Sequence, residues 1–401
     1  MKSRTFVTSE IDEPVIAAQE LCGQLEHSFP LLTNSVGLLY CYSDMELPEL
    51  AAALHERLDI PVIGVTAIAS MDNVEGFHEM SVTLTVLTAD DCEFSVSVSE
   101  PITPDLVKPQ VELLYQKSVS DLGTTPGLIY ALPPHQLNIM LDSYSEAFAD
   151  IAPSVPVIGG LPSCNDQVDE NLTIYNDEIY SDRIVMLAIS GNINPVFSVQ
   201  TVLEDNEVKR RKVTRSKDNI VYEVDSRSFT DYLISAGMPM DVLSSKNNAI
   251  SLVANPLYIE ENRDGFGDEF KYLRALHGID LDQGTGISIG RIPEGAYLSI
   301  HPLTRSEVGT AALLGIRNLI SKMQEAATDG YKFSTVLGVS CIGRYMIMNP
   351  NGDVETENIL KELPKDLNFS GFYGYGELCP LPMEEGFMTF AHNESLVLCA
   401  F

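Results

Sequence analysis

The residues best suited to chemistry lie late in the chain, where a thiol, an arginine and a glutamate follow apolar segments. Cys341-Ile342-Gly343-Arg344 follows one apolar run, and Gly376-Glu377 follows another. A guanidinium can hold a carboxylate through two parallel hydrogen bonds, and the glycines let a ligand approach the backbone closely. Arg344 and Glu377 in one crevice would suit a zwitterion such as an amino acid. Equally, Arg344 could form a structural ion pair with Glu377 or another acid.

A second interpretation makes Cys341 a nucleophile with His392 as its base. A cysteine attacks a substrate carbonyl when a neighbouring imidazole takes its proton. The sequence does not place these two residues within reach of each other, and a cysteine beside an apolar strand is more often an inert packing residue. A cysteine-dependent hydrolase or transferase is therefore the alternative to ligand binding. Asn393, just before the last strand, could orient a ligand through its amide.

These residues must be positioned by a repeated unit of secondary structure. Gly37-Leu38-Leu39-Tyr40 leads through a helical stripe to Pro61-Val62-Ile63-Gly64, and Gly127-Leu128-Ile129-Tyr130 leads through another to Pro156-Val157-Ile158-Gly159. Strand, helix and strand of this length predict a parallel βαβ unit. Alternating segments after each unit predict a hairpin of two antiparallel strands. A fainter third copy spans 333–376, so we predict a mixed α/β fold of repeated β-α-β-β-β units with helices covering the sheets.

The repeat brings strand-end loops together, because the carboxyl ends of parallel strands lie at one edge of a sheet. The third copy supplies the most polar loops, and the second supplies glycines and a serine after its second strand. The predicted ligand-binding residues are Cys341, Gly343, Arg344, Gly376, Glu377, Asn393, Gly159, Gly160 and Ser163. No metal site and no cofactor is predicted, because the seven histidines are scattered and no Cys-x-x-Cys pair occurs.

Length and composition limit the organisation of the chain. A chain of 401 residues is longer than one hydrophobic core usually supports, so we expect two domains. The basic segment 209–217 indicates the boundary, which gives predicted domains 1–215 and 216–401. The net charge of −32 disfavours nucleic acid as a partner. Apolar runs are too short for a membrane helix and the first residues do not form a secretory signal. With seven widely spaced cysteines, these features predict a cytoplasmic protein with reduced thiols.

An ordered set of short motifs resembles a known family. The first half contributes Val62-Ile63-Gly64-Val65-Thr66 and Val157-Ile158-Gly159-Gly160, and the second half contributes Ser340-Cys341-Ile342-Gly343-Arg344. The remaining motifs are Val221-Tyr222-Glu223-Val224-Asp225, Ile292-Pro293-Glu294-Gly295, Gly371-Phe372-Tyr373-Gly374-Tyr375-Gly376-Glu377, Cys379-Pro380 and His392-Asn393-Glu394-Ser395-Leu396. In order and over nearly the whole chain, they resemble the FIST family of sensory domains, named for F-box and intracellular signal transduction proteins.

The resemblance implies a sensory module that binds small molecules such as amino acids, and it favours a sensor over an enzyme. It also implies a signalling neighbour, such as a kinase, cyclase or chemoreceptor. No such output domain is recognisable in this sequence, so we expect a separate partner. A third interpretation, a partner-binding adaptor without a ligand, stays open.

Overall fold

The computed structural model describes residues 1–165, 171–201, 210–244, 249–327, 330–348, 353–383 and 386–401, without the side chains of 267–269. Of the basic segment 209–217, Lys209 lies outside these ranges. The fold is mixed α/β, as the sequence predicts. It contains three related units in chain order, the third of which carries a large insertion.

The first unit contains six strands and two helices. Its elements are β1 (Lys2–Thr8), α1 (Pro14–Ser28), β2 (Asn34–Tyr42), α2 (Leu47–His55), β3 (Val62–Ala67), β4 (Ala69–Asp72), β5 (Phe77–Glu79) and β6 (Val82–Ala89). Proline stands in the first turn of both helices, where its missing N–H costs nothing. Each helix buries one stripe of alanine and leucine against the sheet.

The second unit repeats this order. Its elements are β7 (Cys92–Val98), a 3-10 turn (Pro104–Leu106), α3 (Val107–Leu122), β8 (Leu128–Leu132), α4 (Leu141–Ile151), β9 (Val157–Gly160), β10 (Thr173–Tyr175), β11 (Glu178–Tyr180) and β12 (Val185–Gly191). The pairs β2–β3 and β8–β9 are parallel, which confirms the two predicted βαβ units.

The third unit opens with β13 (Val196–Gln200) and is then interrupted by an antiparallel sheet with short helices. The inserted elements are β14 (Arg211–Lys217), β15 (Ile220–Val224), β16 (Arg227–Ser228), α5 (Phe229–Ser235), α6 (Met240–Ser244), α7 (Ala249–Val253), β17 (Leu257–Arg263), β18 (Gly267–Arg274), β19 (Leu276–Asp280), β20 (Thr285–Ser288) and β21 (Tyr297–Ile300).

After the insertion the third unit resumes with the same order of elements as the other two. These elements are α8 (Arg305–Ala326), β22 (Thr335–Cys341), α9 (Ile342–Met348), α10 (Asp353–Glu362), β23 (Asn368–Gly374), β24 (Glu377–Pro382), β25 (Phe387–His392) and β26 (Leu396–Ala400). The parallel pair β22–β23 confirms that the faint third copy is a real βαβ unit. A capping box at Thr304 and Glu307 starts α8 by satisfying free N–H groups of its first turn.

The three units exchange strands with one another. The corresponding sheets have the orders β1-β6-β2-β3-β10-β11, β7-β12-β8-β9-β24-β25 and β13-β26-β22-β23-β4-β5. Each unit thus adds its short hairpin to the sheet of another unit. The predicted hairpins of β6 with β7 and of β12 with β13 are therefore wrong, because the second strand of each forms the edge of the next sheet.

The inner faces of the three sheets enclose one central core. At its centre the hydroxyl groups of Tyr40 and Tyr130 lie 3.0 Å apart. The ring of Tyr40 also lies 5.1 Å, centroid to centroid, from that of Phe372 in the third unit. Because all three units contribute to this core, their strand-end loops are held at fixed positions relative to one another.

Candidate functional site

Cys341 and Gly343 lie at the junction between β22 and α9, against the turn that joins β25 to β26. The backbone N–H of Cys341 donates to the carbonyl oxygen of Ser395 at 3.0 Å. A Cβ atom at position 343 would overlap the carboxylate of Glu394. Gly343 is therefore the residue that lets a buried carboxyl group pack directly against the backbone.

Arg344 is fully buried and is bound within the fold. Its Nε and Nη2 donate to Glu355 Oε1 at 2.9 and 2.5 Å, and its Nη2 also donates to the carbonyl oxygen of Val308 at 3.2 Å. Ser340 Oγ donates to the other oxygen of Glu355 at 2.6 Å. Of the two roles that the sequence left open for Arg344, the contacts match the structural ion pair, and its partner is Glu355 rather than Glu377.

Two other buried carboxyl groups have no such partner. Glu377 Oε2 accepts a hydrogen bond from Ser395 Oγ at 2.9 Å, with the thiol of Cys341 next to the carboxyl group. Among the described residues, Glu377 Oε1 and both carboxyl oxygens of Glu394 accept no hydrogen bond. We call Glu377 and Glu394 the acid pair. Both side chains are completely buried, which is costly for a charged group.

The environment of the acid pair favours the protonated form of both groups. Burial raises the pKa of Glu377 well above its usual range, and the neighbouring charge of Glu394 raises it further. Burial also raises the pKa of Glu394 to about 8, although the charge of Arg344 opposes this shift. Glu394 also has a positive φ of 53°, which is uncommon for a residue other than glycine.

Asn393 and His392 complete the turn beside the acid pair. Asn393 Nδ2 donates to the carbonyl oxygen of His392 at 2.8 Å, whereas no described residue donates to Asn393 Oδ1. Together with the three oxygens of the acid pair, this makes four buried oxygen atoms without a hydrogen-bond partner in the described chain. Buried polar groups are nearly always hydrogen-bonded, so such a concentration of exceptions marks this turn as a functional candidate.

The contacts of Cys341 and His392 do not favour nucleophilic catalysis. Burial raises the pKa of the Cys341 thiol well above its usual range, and the charges of Glu377 and Glu394 raise it further. Burial and the charge of Arg274 lower the pKa of His392 to about 3. Both groups are therefore neutral at neutral pH, and a neutral thiol is a poor nucleophile. The His392 ring packs edge-on against Phe390, with centroids 5.0 Å apart.

The predicted residues of the second unit lie next to Glu377. Gly160 pairs with Glu377 and Gly159 with Leu378 where β9 meets β24. Ser163 Oγ donates to the carbonyl oxygen of Tyr373 at 2.5 Å, so its hydroxyl group is bound to the fold. The carbonyl oxygen of Gly376 accepts from the backbone N–H of residue 161 at 3.1 Å. The second and third units thus meet here through the antiparallel pairing of β9 with β24 rather than at the ends of parallel strands.

Sequence reasoning overlooked the roles of Glu394 and Glu355. Glu394 lies in the short polar stretch 392–395 between two apolar strands, and this position was a usable signal. Glu355 carried no signal, because it lies among other acidic residues of α10 and resembles the exposed face of a helix. Within the described ranges, no group of three or more His, Cys, Asp or Glu side chains is arranged to hold a metal ion.

Comparison with known proteins agrees with the resemblance seen in the motifs. Residues 35–227 match the FIST N domain, and residues 231–380 match the FIST C domain. No curated protein matches the chain. None of the helices described here has the length and apolar character needed to cross a membrane. FIST domains are sensory domains of signal transduction. Since the two matches lie in the expected order and cover most of its length, the chain belongs to the FIST family.

Proposed function

We propose that the protein is a cytoplasmic sensor for a small metabolite with a primary ammonium group, such as an amino acid or a small amine. The observation that carries this proposal is the set of four buried, unpaired oxygen acceptors on Glu377, Asn393 and Glu394. An ammonium group offers three hydrogen-bond donors and one positive charge. It would satisfy three of these acceptors and compensate the negative charge that burial otherwise disfavours.

The contacts of Arg344 shape the expected specificity. Its guanidinium group binds Glu355, so we do not assign it to a ligand carboxylate. The ammonium group is then the part of the ligand that is recognised, and amines without a carboxylate become candidates beside amino acids. The space beside Gly343 is filled by the Glu394 carboxyl group, and a Cβ atom at position 376 would overlap the side chain of Leu141, so a ligand would reach the acid pair only if the turn moves.

Ligand binding would move the turn at residues 393–395, because the acid pair is completely buried. This turn is connected to α9 through Arg344, whose Nη1 donates to the carbonyl oxygen of Glu394 at 3.4 Å. A ligand that pulls on Glu394 would therefore change the position of α9. We propose this helix as the element that a separate signalling partner, such as a kinase, cyclase or chemoreceptor, detects.

The test is a thermal-shift screen with glycine, alanine, lysine and putrescine, using trimethylglycine as the control that cannot donate a hydrogen bond. A ligand that binds only the folded state raises the melting temperature. We expect one primary amine to do so, and more strongly at about pH 8 than at about pH 6, because the Glu394 carboxyl must lose its proton to bind a cation.

Two variants separate binding at the acid pair from binding elsewhere. Glu394→Gln and Glu377→Gln keep the size of the side chain but remove its charge, so either should abolish the shift caused by the amine. Glu56→Gln changes an exposed glutamate that is distant in sequence from the acid pair, and it is the matched control. The shift in melting temperature caused by the amine should remain in this variant. A shift that persists in Glu394→Gln contradicts the proposal. The proposal is also contradicted if no primary amine binds and a protein partner is captured without any ligand. That result would favour a partner-binding adaptor.

A further inference from the structure

A second cluster of reactive side chains lies in the first unit, around the hairpin β4–β5. His78 Nε2 lies 2.5 Å from Asp72 Oδ2, and His78 Nδ1 lies 2.5 Å from Ser81 Oγ. A carboxylate, an imidazole and a hydroxyl group in contact in this order form the arrangement of a nucleophilic serine, its base and the group that orients the base. We call these three residues the serine triad.

Asp72 and His78 are held rigidly in this arrangement. The side chain of Asp72 is completely buried, and its Oδ1 accepts from the backbone N–H groups of Val74 and Glu75 at 2.7 and 2.8 Å. Its other oxygen is therefore directed to His78. The strand pairing of β4 with β5 holds His78 in place, opposite Ser70. A base whose orientation is set by a buried carboxylate is the requirement for proton transfer from a hydroxyl group.

The backbone before Ser81 is strained. Met80 has a φ of 35°, which is outside the regions that residues other than glycine usually adopt. Such strain costs free energy and is found mainly where the surrounding structure holds a side chain in a functional position. The strained residue directly precedes the serine whose Oγ contacts His78.

Ser81 lines a cleft at the carboxyl end of β2. The cleft is lined also by Tyr40, Cys41, Ser70 and Met80. It is too narrow for a water molecule as it stands, and Met80, which is 54% exposed, forms part of its wall. A flexible and exposed methionine side chain can move aside, so the cleft would admit a short acyl group rather than a long one.

From this geometry we propose that the protein hydrolyses small acyl esters, with Ser81 as the nucleophile, His78 as the general base and Asp72 as a positioning residue. Ser81 Oγ forms a bond to the ester carbonyl carbon while its proton passes to His78 Nδ1. The ester C–O bond then breaks, and the leaving alcohol takes that proton. Water attacks the acyl-serine, giving one proton to His78. The bond to Ser81 Oγ breaks, the oxygen regains the proton, and a carboxylic acid is released. This activity is independent of the acid pair and of the proposed sensor function.

The test uses a fluorophosphonate probe and p-nitrophenyl acetate on the full chain. We expect the probe to label Ser81, identified by mass spectrometry of the digested protein. Ser81→Ala should abolish labelling, and His78→Gln should slow both labelling and ester hydrolysis by at least about 100-fold, the contribution of a general base. Ser95→Ala is the matched control, because Ser95 is also buried but its Oγ is bonded to the carboxylate of Asp121 instead of to an imidazole. It should react like the wild type.

Two further variants keep the proposal refutable if one substitution disturbs folding. Asp72→Asn should lower the rate, and Asp72→Glu, which restores the carboxylate, should recover part of it in protein with an unchanged melting temperature. Ser70 is the competing nucleophile, since its Oγ lies 3.4 Å from His78 Nδ1. The proposal is overturned if the folded wild type is not labelled, if the label is found on Ser70, or if Ser81→Ala hydrolyses the ester at the wild-type rate.

Discussion

The most direct test of the acid pair is the substitution Glu394→Gln followed over pH. The glutamine keeps the size and the neutral polar character of the protonated carboxyl group but cannot lose a proton. Glu394 is completely buried, and its pKa is raised from 4.5 to about 8. Only the wild type therefore has to accommodate a negative charge at this position when the pH is raised.

The size of the effect follows from the two pKa values. Between pH 4.5 and about 8 the folded protein keeps the proton of Glu394, whereas the unfolded chain has released it. The folded state then binds one more proton, so the free energy of unfolding falls as the pH rises, by about 1.4 kcal/mol per pH unit. Over the whole window the loss is about 5 kcal/mol, complete above about pH 8. The variant lacks this loss.

The assay is urea unfolding of both proteins, monitored by circular dichroism at several pH values and constant ionic strength. Near pH 5 we expect the two to differ by less than about 1 kcal/mol, because both side chains are then neutral. Near pH 8.5 the variant should be more stable by about 5 kcal/mol. The variant also removes the charge that repels ionised Glu377. This makes ionisation of Glu377 less costly and therefore also stabilises the variant at high pH.

Taking the difference between variant and wild type removes the contributions of all other titrating groups. Glu56→Gln, measured at the same pH values, serves as the control for removing a glutamate from the surface. If the difference for Glu394→Gln is the same at pH 5 and at pH 8.5, then the carboxyl group is not held protonated by burial. The reasoning that makes the acid pair a cation site would then be refuted.

Three further predictions concern the surroundings of the site. Arg344→Ala should lower the free energy of unfolding by about 3–5 kcal/mol in a urea titration, because it leaves the carboxylate of Glu355 buried and unpaired; a loss below about 1 kcal/mol would contradict the buried ion pair. Cys341 should resist iodoacetamide near neutral pH in folded protein and react readily after denaturation, as measured by mass spectrometry, because burial keeps its thiol protonated. Gly159→Ala should prevent stable folding, since φ is 143° and a Cβ atom would overlap a carbonyl oxygen of the neighbouring strand. Gly123→Ala, with a positive φ of 66° but free space around it, should cost only about 1 kcal/mol, and equal costs at both glycines would contradict the close approach at 159.

The sequence determined the local elements. Apolar runs and helical stripes located the three parallel strand pairs, because periodicity records which face of an element is buried. Gly160 lies beside Glu377 through the antiparallel pairing of β9 with β24, which the edge rule for parallel strands does not predict. The strands that pair with β6 and with β7 were not predictable in this way. Alternation identifies a strand but not its partner, and here β6 pairs with β1 of the first unit whereas β7 pairs with β12 of the second.

The chemistry of both sites was decided by the tertiary structure. Arg344 and Glu355 are adjacent only because α9 and α10 pack over one sheet, and Glu394 faces Gly343 only because β26 returns beside β22. The sequence placed an arginine, a thiol and a glutamate in neighbouring loops, but it contained no information on which charges would be paired. Pairing depends on distances of a few ångströms and on the exclusion of water, and both arise only when the strands of all three units close around the common core.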